Sequence, residues 1–235
     1  MAKALIWTRP AVDWQSDVSR IPSLSKFYHL PLTKQLKLNV ETLPESNSIV
    51  IVTSVKAAKL IANNEALLSR VETCDCITFS QAVAQVLGIL KWRLIDVNVA
   101  KDMLEELKSD GSLEGRRVYF LGAQEPAYPI VENLKKSGID GVHLPLYRTE
   151  VLKNLSEADL KQLNGGAVIC LGSPASVRSL AQIINDYSIE VNQMTIVCIG
   201  ATTSELCDEI IKAGVTLAKP SLEGLVEEAE AQGTL

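Results

Sequence analysis

His-Leu-Pro-Leu occurs twice, at residues 29–32 and at 143–146, an offset of 114 (143 − 29) in a chain of 235 residues. Four shared letters carry little alone, so their surroundings decide. ALIWTRP at 4–10 and RVYFLGAQEP at 117–126 are both apolar runs ending in polar turn residues, and both lead on to the repeated word. SIVIVTSVKAAKLIA at 48–62 then matches GAVICLGSPASVRSLAQII at 166–184, and CDCITFSQAVAQVLG at 74–88 matches MTIVCIGATTSELCDEI at 194–210. Last, VNVAKDMLEELKS at 97–109 matches TLAKPSLEGLVEEAE at 216–230, a strand end followed by an acidic amphipathic helix. Units recurring in one order point to an ancestral duplication.

The unit that recurs is strand, small-residue turn, helix. Its strands are continuous apolar runs rather than alternating ones, the pattern of parallel strands covered by helices on both faces. The expected fold class is α/β, with two flavodoxin-like doubly wound parallel-sheet domains. Pro31 and Pro145 hold the residues before them out of helix. Leu30–Leu32 and Leu144–Leu146 therefore read as strand-like connectors between the domains.

Composition removes several function classes. A net charge of −5 argues against nucleic acid as a partner and requires any anion site to be local. No run approaches the roughly 18 apolar residues of a membrane span, and the opening MAKALIWTRP has no long apolar core of a signal peptide. Cys74, Cys76, Cys170, Cys198 and Cys207 read as buried reduced thiols, which places the protein in the cytoplasm. The two histidines, each just ahead of a Leu-Pro pair, make a poor metal site, so neither metal nor cofactor is expected. GxxxxGK[ST], GxGxxG and GxSxG are all missing. Glu105-Glu106 and Glu227-Glu228 read as solvated helix faces that offer no oligomer interface, and a monomer is expected.

Ligands of open parallel sheets bind beyond the carboxyl ends of the strands. Those ends carry Thr8-Arg9-Pro10, Thr53-Ser54, Gly122-Ala123, Gly172-Ser173-Pro174-Ala175-Ser176 and Gly200-Ala201-Thr202-Thr203. Small residues at a helix start let an anion approach free backbone N–H groups. Serine and threonine there serve equally as N-caps.

Taken together, TRP at 8–10, TS at 53–54 before a small-residue helix, LPLYRTE at 144–150, SPAS at 173–176 and IGATTSEL at 199–206 resemble the uroporphyrinogen-III synthase family. The resemblance implies a first domain of residues 1–33 and 149–235, a second of 34–148, and a two-stranded connector formed by the two HLPL segments side by side. It implies closure of the linear tetrapyrrole hydroxymethylbilane with loss of water and inversion of ring D. The preceding pathway enzyme is a candidate transient partner for handing over the bilane. Such chemistry needs little acid–base equipment, because the pyrrole nitrogen expels hydroxide and the protein chiefly orients the chain.

By the same resemblance Tyr147 is the candidate catalytic residue, its phenol meeting the departing hydroxyl. Arg9, Thr53, Ser54, Lys56, Gly122, Ser173, Ser176, Gly200, Thr202 and Thr203 are candidate substrate-binding residues. The chain departs from the family pattern at Phe79-Ser80-Gln81-Ala82, where the glycine and threonine of a Gly-x-x-Thr turn are both replaced, and at Leu121, where an arginine usually precedes the glycine. A divergent, non-catalytic two-lobed protein binding an acidic small molecule is the alternative.

Overall fold

A computed structural model describes residues 3–88, 91–152 and 154–233. In chain order the elements are β1 (Ala4–Trp7), α1 (Ala11–Arg20), β2 (Tyr28–His29), β3 (Thr33–Lys37), β4 (Ile49–Ile51), α2 (Val55–Ala62), α3 (Glu65–Val71), β5 (Asp75–Thr78), α4 (Gln81–Leu87) and β6 (Trp92–Leu94). They continue with α5 (Ala100–Ser109), β7 (Val118–Ala123), α6 (Ile130–Lys136), β8 (Gly141–Val151), α7 (Glu157–Asn164), β9 (Ala167–Leu171), α8 (Pro174–Tyr187), β10 (Thr195–Ile199), α9 (Ala201–Ile210), β11 (Gly214–Ala218) and α10 (Leu222–Gly233). The chain forms two compact units, residues 1–35 with 150–235, and residues 36–149.

The first unit holds a sheet of order β11-β10-β9-β1-β2. Its pairings are parallel, with Ile6 opposite Ile169 and Ile169 opposite Ile196. Each apolar run divides its side chains between two cores. Ile6, Ile169, Leu171, Ile196 and Cys198 face α8 and α9 through Val177, Leu180, Ile183 and Cys207. Trp7, Val168, Cys170 and Val197 face Leu225, Val226 and Ala229 of α10. That division is why these strands lack polar alternation: neither face of the sheet is left to water.

The second unit repeats the scheme with order β3-β8-β7-β4-β5-β6. Val50, Val52, Cys76, Tyr119 and Leu121 pack on α2, α3 and α4 through Ala57, Ala58, Ile61, Leu67, Val71 and Val83. Ile49, Ile51, Ile77, Val118 and Phe120 pack on α5 and α6 through Met103, Leu104, Leu107, Ile130, Val131 and Leu134. Set side by side, β11-β10-β9-β1-β2 and β6-β5-β4-β7-β8 place every pair of sequence-matched strands at the same position. The chain order differs: the first unit has the flavodoxin-like order 2-1-3-4-5, whereas β4 to β8 run 3-2-1-4-5.

Two local expectations are corrected. The HLPL segments do not pair with each other: His29 lies opposite Trp7 of β1, and Leu144 and Pro145 lie opposite Leu121 and Gly122 of β7. The pairing between β3 and β8 instead joins the last leucine of each segment to residues beyond the other, with Leu152 N–H donating to Leu32 O in the first unit and Leu38 N–H to Leu146 O in the second. Residue numbers fall on one strand as they rise on the other, so this ladder is antiparallel. The sixth strand is Trp92–Leu94 rather than the run at 97–99, which forms the turn into α5. After β1, α1 ends at Arg20 and Pro22 opens a separate short 3-10 turn.

Candidate active site

The carboxyl edge of the first unit is organised around β1. Thr8, almost fully buried, donates its hydroxyl to the carbonyl of Cys170 at 2.5 Å, tying the end of β1 to β9. Arg9 reaches the helix that follows it, α1, bonding Asp17 at 2.7 Å and Asp13 at 3.3 Å. Asp17, only 5% exposed, also accepts from Trp7 Nε1 at 3.1 Å. Burial pushes the Asp17 carboxyl above its ordinary range, and the Arg9 charge and the Trp7 hydrogen bond oppose that shift. The Arg9 stem lies on Gly172, where a β-carbon would sit 3.7 Å from Arg9 Cγ. Trp14 stacks on His29 at 4.3 Å between ring centroids. The candidate guanidinium is thus already engaged by two carboxylates of α1.

At the start of α8, Ser173 and Ser176 form a reciprocal capping box, each backbone N–H donating to the other's hydroxyl at 3.2 Å. Both hydroxyls therefore have work within the helix. The start of α9 differs. Its N-cap is Gly200 at φ 75°, in the left-handed region, and no side chain caps the helix. Thr203 is buried in the first turn, and Thr202 is exposed. The backbone N–H groups here are not met by a capping hydroxyl, so they keep their capacity for an anion.

In the second unit, Ser54 caps α2 by accepting from Ala57 N–H at 3.0 Å, and the same hydroxyl lies 3.3 Å from the Tyr147 phenol. Tyr147 comes from β8, two strands away across β7. A bulge explains how it gets there. Gly122 lies opposite Pro145, but Ala123 lies opposite Tyr147, so Leu146 is an extra residue on β8. Without it, Leu146 would oppose Ala123 and Tyr147 would point to the other face of the sheet. Pro145 has no N–H for the ladder, which suits it to an irregular site. The phenol thus joins the core cluster on the α2 side, beside Leu144 and Ala57.

Thr53 and Lys56 flank Ser54 and are half-buried. Lys56 stands in the first turn of α2, which contains no acidic residue, and the lysine has no polar partner among the described residues. A cation at the positive end of a helix is unfavourable until an anion joins it. Gly122 has a packing reason to be glycine, since a β-carbon would meet Phe120 Cζ at 2.6 Å. Where the turn at 79–82 departs from the family pattern, Ser80 caps α4 and Thr78 Oγ1 accepts from Ser80 N–H at 3.1 Å.

The structure therefore joins Ser54 with Tyr147, Ser173 with Ser176, and Arg9 with Gly172. The remaining candidates stand on the edges of their own units. Asp17 and Thr78 are polar residues of these edges that sequence reasoning missed. For Asp17 a signal existed in its spacing, four residues after Asp13 on a helix that begins beside Arg9. Among the described residues, no group of three or more His, Cys, Asp or Glu is placed to hold a metal ion. No described helix is long and apolar enough to cross a membrane.

The sequence matches the family described as uroporphyrinogen-III synthase HemD over residues 17–227. A search of curated protein sequences found no match. Among solved structures, the chain is similar to uroporphyrinogen-III synthetase from Helicobacter pylori, at 20% identity and TM-score 0.69, covering 98% of this chain and 99% of that one. It is also similar to a mutant uroporphyrinogen III synthase from Thermus thermophilus, at 14% identity and TM-score 0.65, covering 99% of each chain. At these identities the structural likeness speaks for the fold. The sequence match runs through both compact units and most of the chain, and on that ground this protein belongs to the uroporphyrinogen-III synthase family.

Proposed function

We propose that this chain closes hydroxymethylbilane with loss of water and inversion of ring D, and that it does so chiefly by holding the substrate. The observation that carries the reading is the family match over residues 17–227, which includes Tyr147 and every candidate turn except that at Thr8-Arg9-Pro10. The bilane is a polyacid, so its binding calls for dispersed anion sites rather than a basic surface. The uncapped start of α9 at Gly200, Thr202 and Thr203 supplies backbone donors, and Lys56 supplies a cation without a partner of its own among the described residues. Thr53 adds a half-buried hydroxyl beside Ser54, whereas Ser173 and Ser176 spend theirs on capping α8.

The substrate's own pyrrole nitrogen expels the hydroxyl, so the chain need not supply a strong acid. Tyr147 hydrogen-bonds the departing oxygen and gives it a proton. Fixing the bound polyacid so that ring D closes through its substituted carbon is an orientation effect, worth several kcal/mol in favourable cases. The protein works as a monomer in the cytoplasm, a reducing compartment that suits its five buried free thiols.

The test supplies freshly prepared bilane to the purified protein and separates the products by isomer. Mainly isomer III supports the reading. Isomer I alone, formed at the rate of the protein-free control, contradicts it and leaves a non-catalytic binder.

A further inference from the structure

Ser54 holds one hydrogen-bonding role that its cap does not explain. Its oxygen accepts from Ala57 N–H at 3.0 Å, which leaves its own proton to donate. Tyr147 Oη, at 3.3 Å, is the acceptor within reach. Tyr147 is 8% exposed, so water competes little for the contact. Three backbone features set up the meeting. Ser54 is fixed as the N-cap of α2, the Leu146 bulge turns Tyr147 toward α2, and Ala123 on the intervening strand has only a methyl for the phenol to pass. At the position equivalent to Tyr147, 114 residues earlier, the first half has Thr33, so the pair belongs to one unit only.

We propose that Ser54 is a positioning residue: it donates its hydroxyl proton to Tyr147 Oη and thereby leaves the phenol's own proton directed at the substrate. This rests on the reading of Tyr147 given above. If instead Tyr147 donated to Ser54, its proton would be committed within the protein and the phenol could not serve the departing hydroxyl. The separation is long for a hydroxyl pair, as is common at catalytic hydrogen bonds before substrate tightens them.

Three substitutions separate this role from capping. Ser54→Thr keeps both the cap and the donor. Ser54→Asp keeps the cap, aspartate being a strong N-cap, but its carboxylate only accepts and draws the phenol's proton to itself. Ser54→Ala loses both. The expected result is kcat within about twofold of wild type for Thr and lower by about ten- to a hundredfold for Asp and Ala. In a Tyr147→Phe background, Ser54→Ala should change kcat by less than about twofold, because the two residues act as one unit. Melting temperatures identify any variant that has lost its fold, and Asp retains the cap that Ala lacks.

Wild-type kcat in Ser54→Asp overturns the proposal, as does an effect of that substitution confined to KM. An undiminished effect of Ser54→Ala in the Tyr147→Phe background overturns it too. Full activity in Tyr147→Phe alone is a different failure, since it removes the role of Tyr147 itself.

Discussion

His29 donates its Nε2 proton to the carbonyl of Arg9 at 3.0 Å, and 114 residues later His143 donates to the carbonyl of Ala123 at 2.9 Å. A carbonyl only accepts, so Nε2 carries the proton in both rings. Each histidine pins the turn after the first strand of its sequence half just before the chain runs on through Leu-Pro-Leu. His29→Phe and His143→Phe keep an aromatic ring but leave a carbonyl without its donor. Each should lower stability by about 1 kcal/mol, read as a fall in the urea midpoint. Two unchanged midpoints would mean that these bonds do not hold the turns.

Tyr147→Phe removes one oxygen from a side chain whose ring lies in a core. Steady-state rates should show kcat reduced about a hundredfold with KM little altered. The ring stays in place, so the melting transition should remain near that of the wild type. A matching fall in stability and activity would instead mark the phenol as structural.

Two aspartates should pull stability in opposite directions with pH. Asp17 has a raised pKa, from burial, so the folded state binds its proton more tightly than the unfolded chain does. That contribution is present below the ordinary value of 3.8 and is lost as pH rises through the raised one. Asp110 is lowered to about 2, first by Ser112 and then by Arg93, with which it forms an ion pair. Its contribution is present above 3.8 and is lost as pH falls through about 2. Urea midpoints from acid to neutral pH should therefore show a shallower acid decline in Asp110→Asn. Asp17→Asn should instead remove one declining contribution above 3.8, so that its midpoint rises relative to wild type as pH increases through that window.

All five cysteines are buried and free. Burial is the largest influence on Cys76, whose thiol is pushed up to about 12, and it raises Cys170 as well. The native protein should be inert to a thiol-specific reagent at neutral pH, and five thiols should react once it is unfolded. Fast labelling of the native protein would show an accessible thiol.

Much of this fold could be read from the sequence because it is written locally. An apolar run such as Ile49–Val52, followed by Ser54 and a helical pattern, states strand, cap and helix within a few residues. Ser54, Ser80 and Ser173 are all caps, the role serine takes at such turns. What escaped depends on partners distant in sequence. No local pattern says that the bulge at Leu146 turns Tyr147 toward Ser54, because register is decided by β7 as much as by β8. Nor does composition say that Arg9 is engaged by Asp13 and Asp17 rather than left for a ligand, since that follows from where α1 packs. The misplaced sixth strand has the same cause: Trp92–Leu94 is a strand because Cys76–Thr78 pairs with it, and its three residues, with Arg93 in the middle and Leu94 exposed, form no continuous apolar run.

The most direct measurement is the ratio of isomer III to isomer I as increasing amounts of protein are added to a fixed amount of fresh bilane. A protein that imposes the geometry of ring closure raises that ratio steadily until isomer III dominates, and the Tyr147→Phe variant needs far more protein to reach the same point. A ratio that stays at the protein-free value at every concentration would contradict the account.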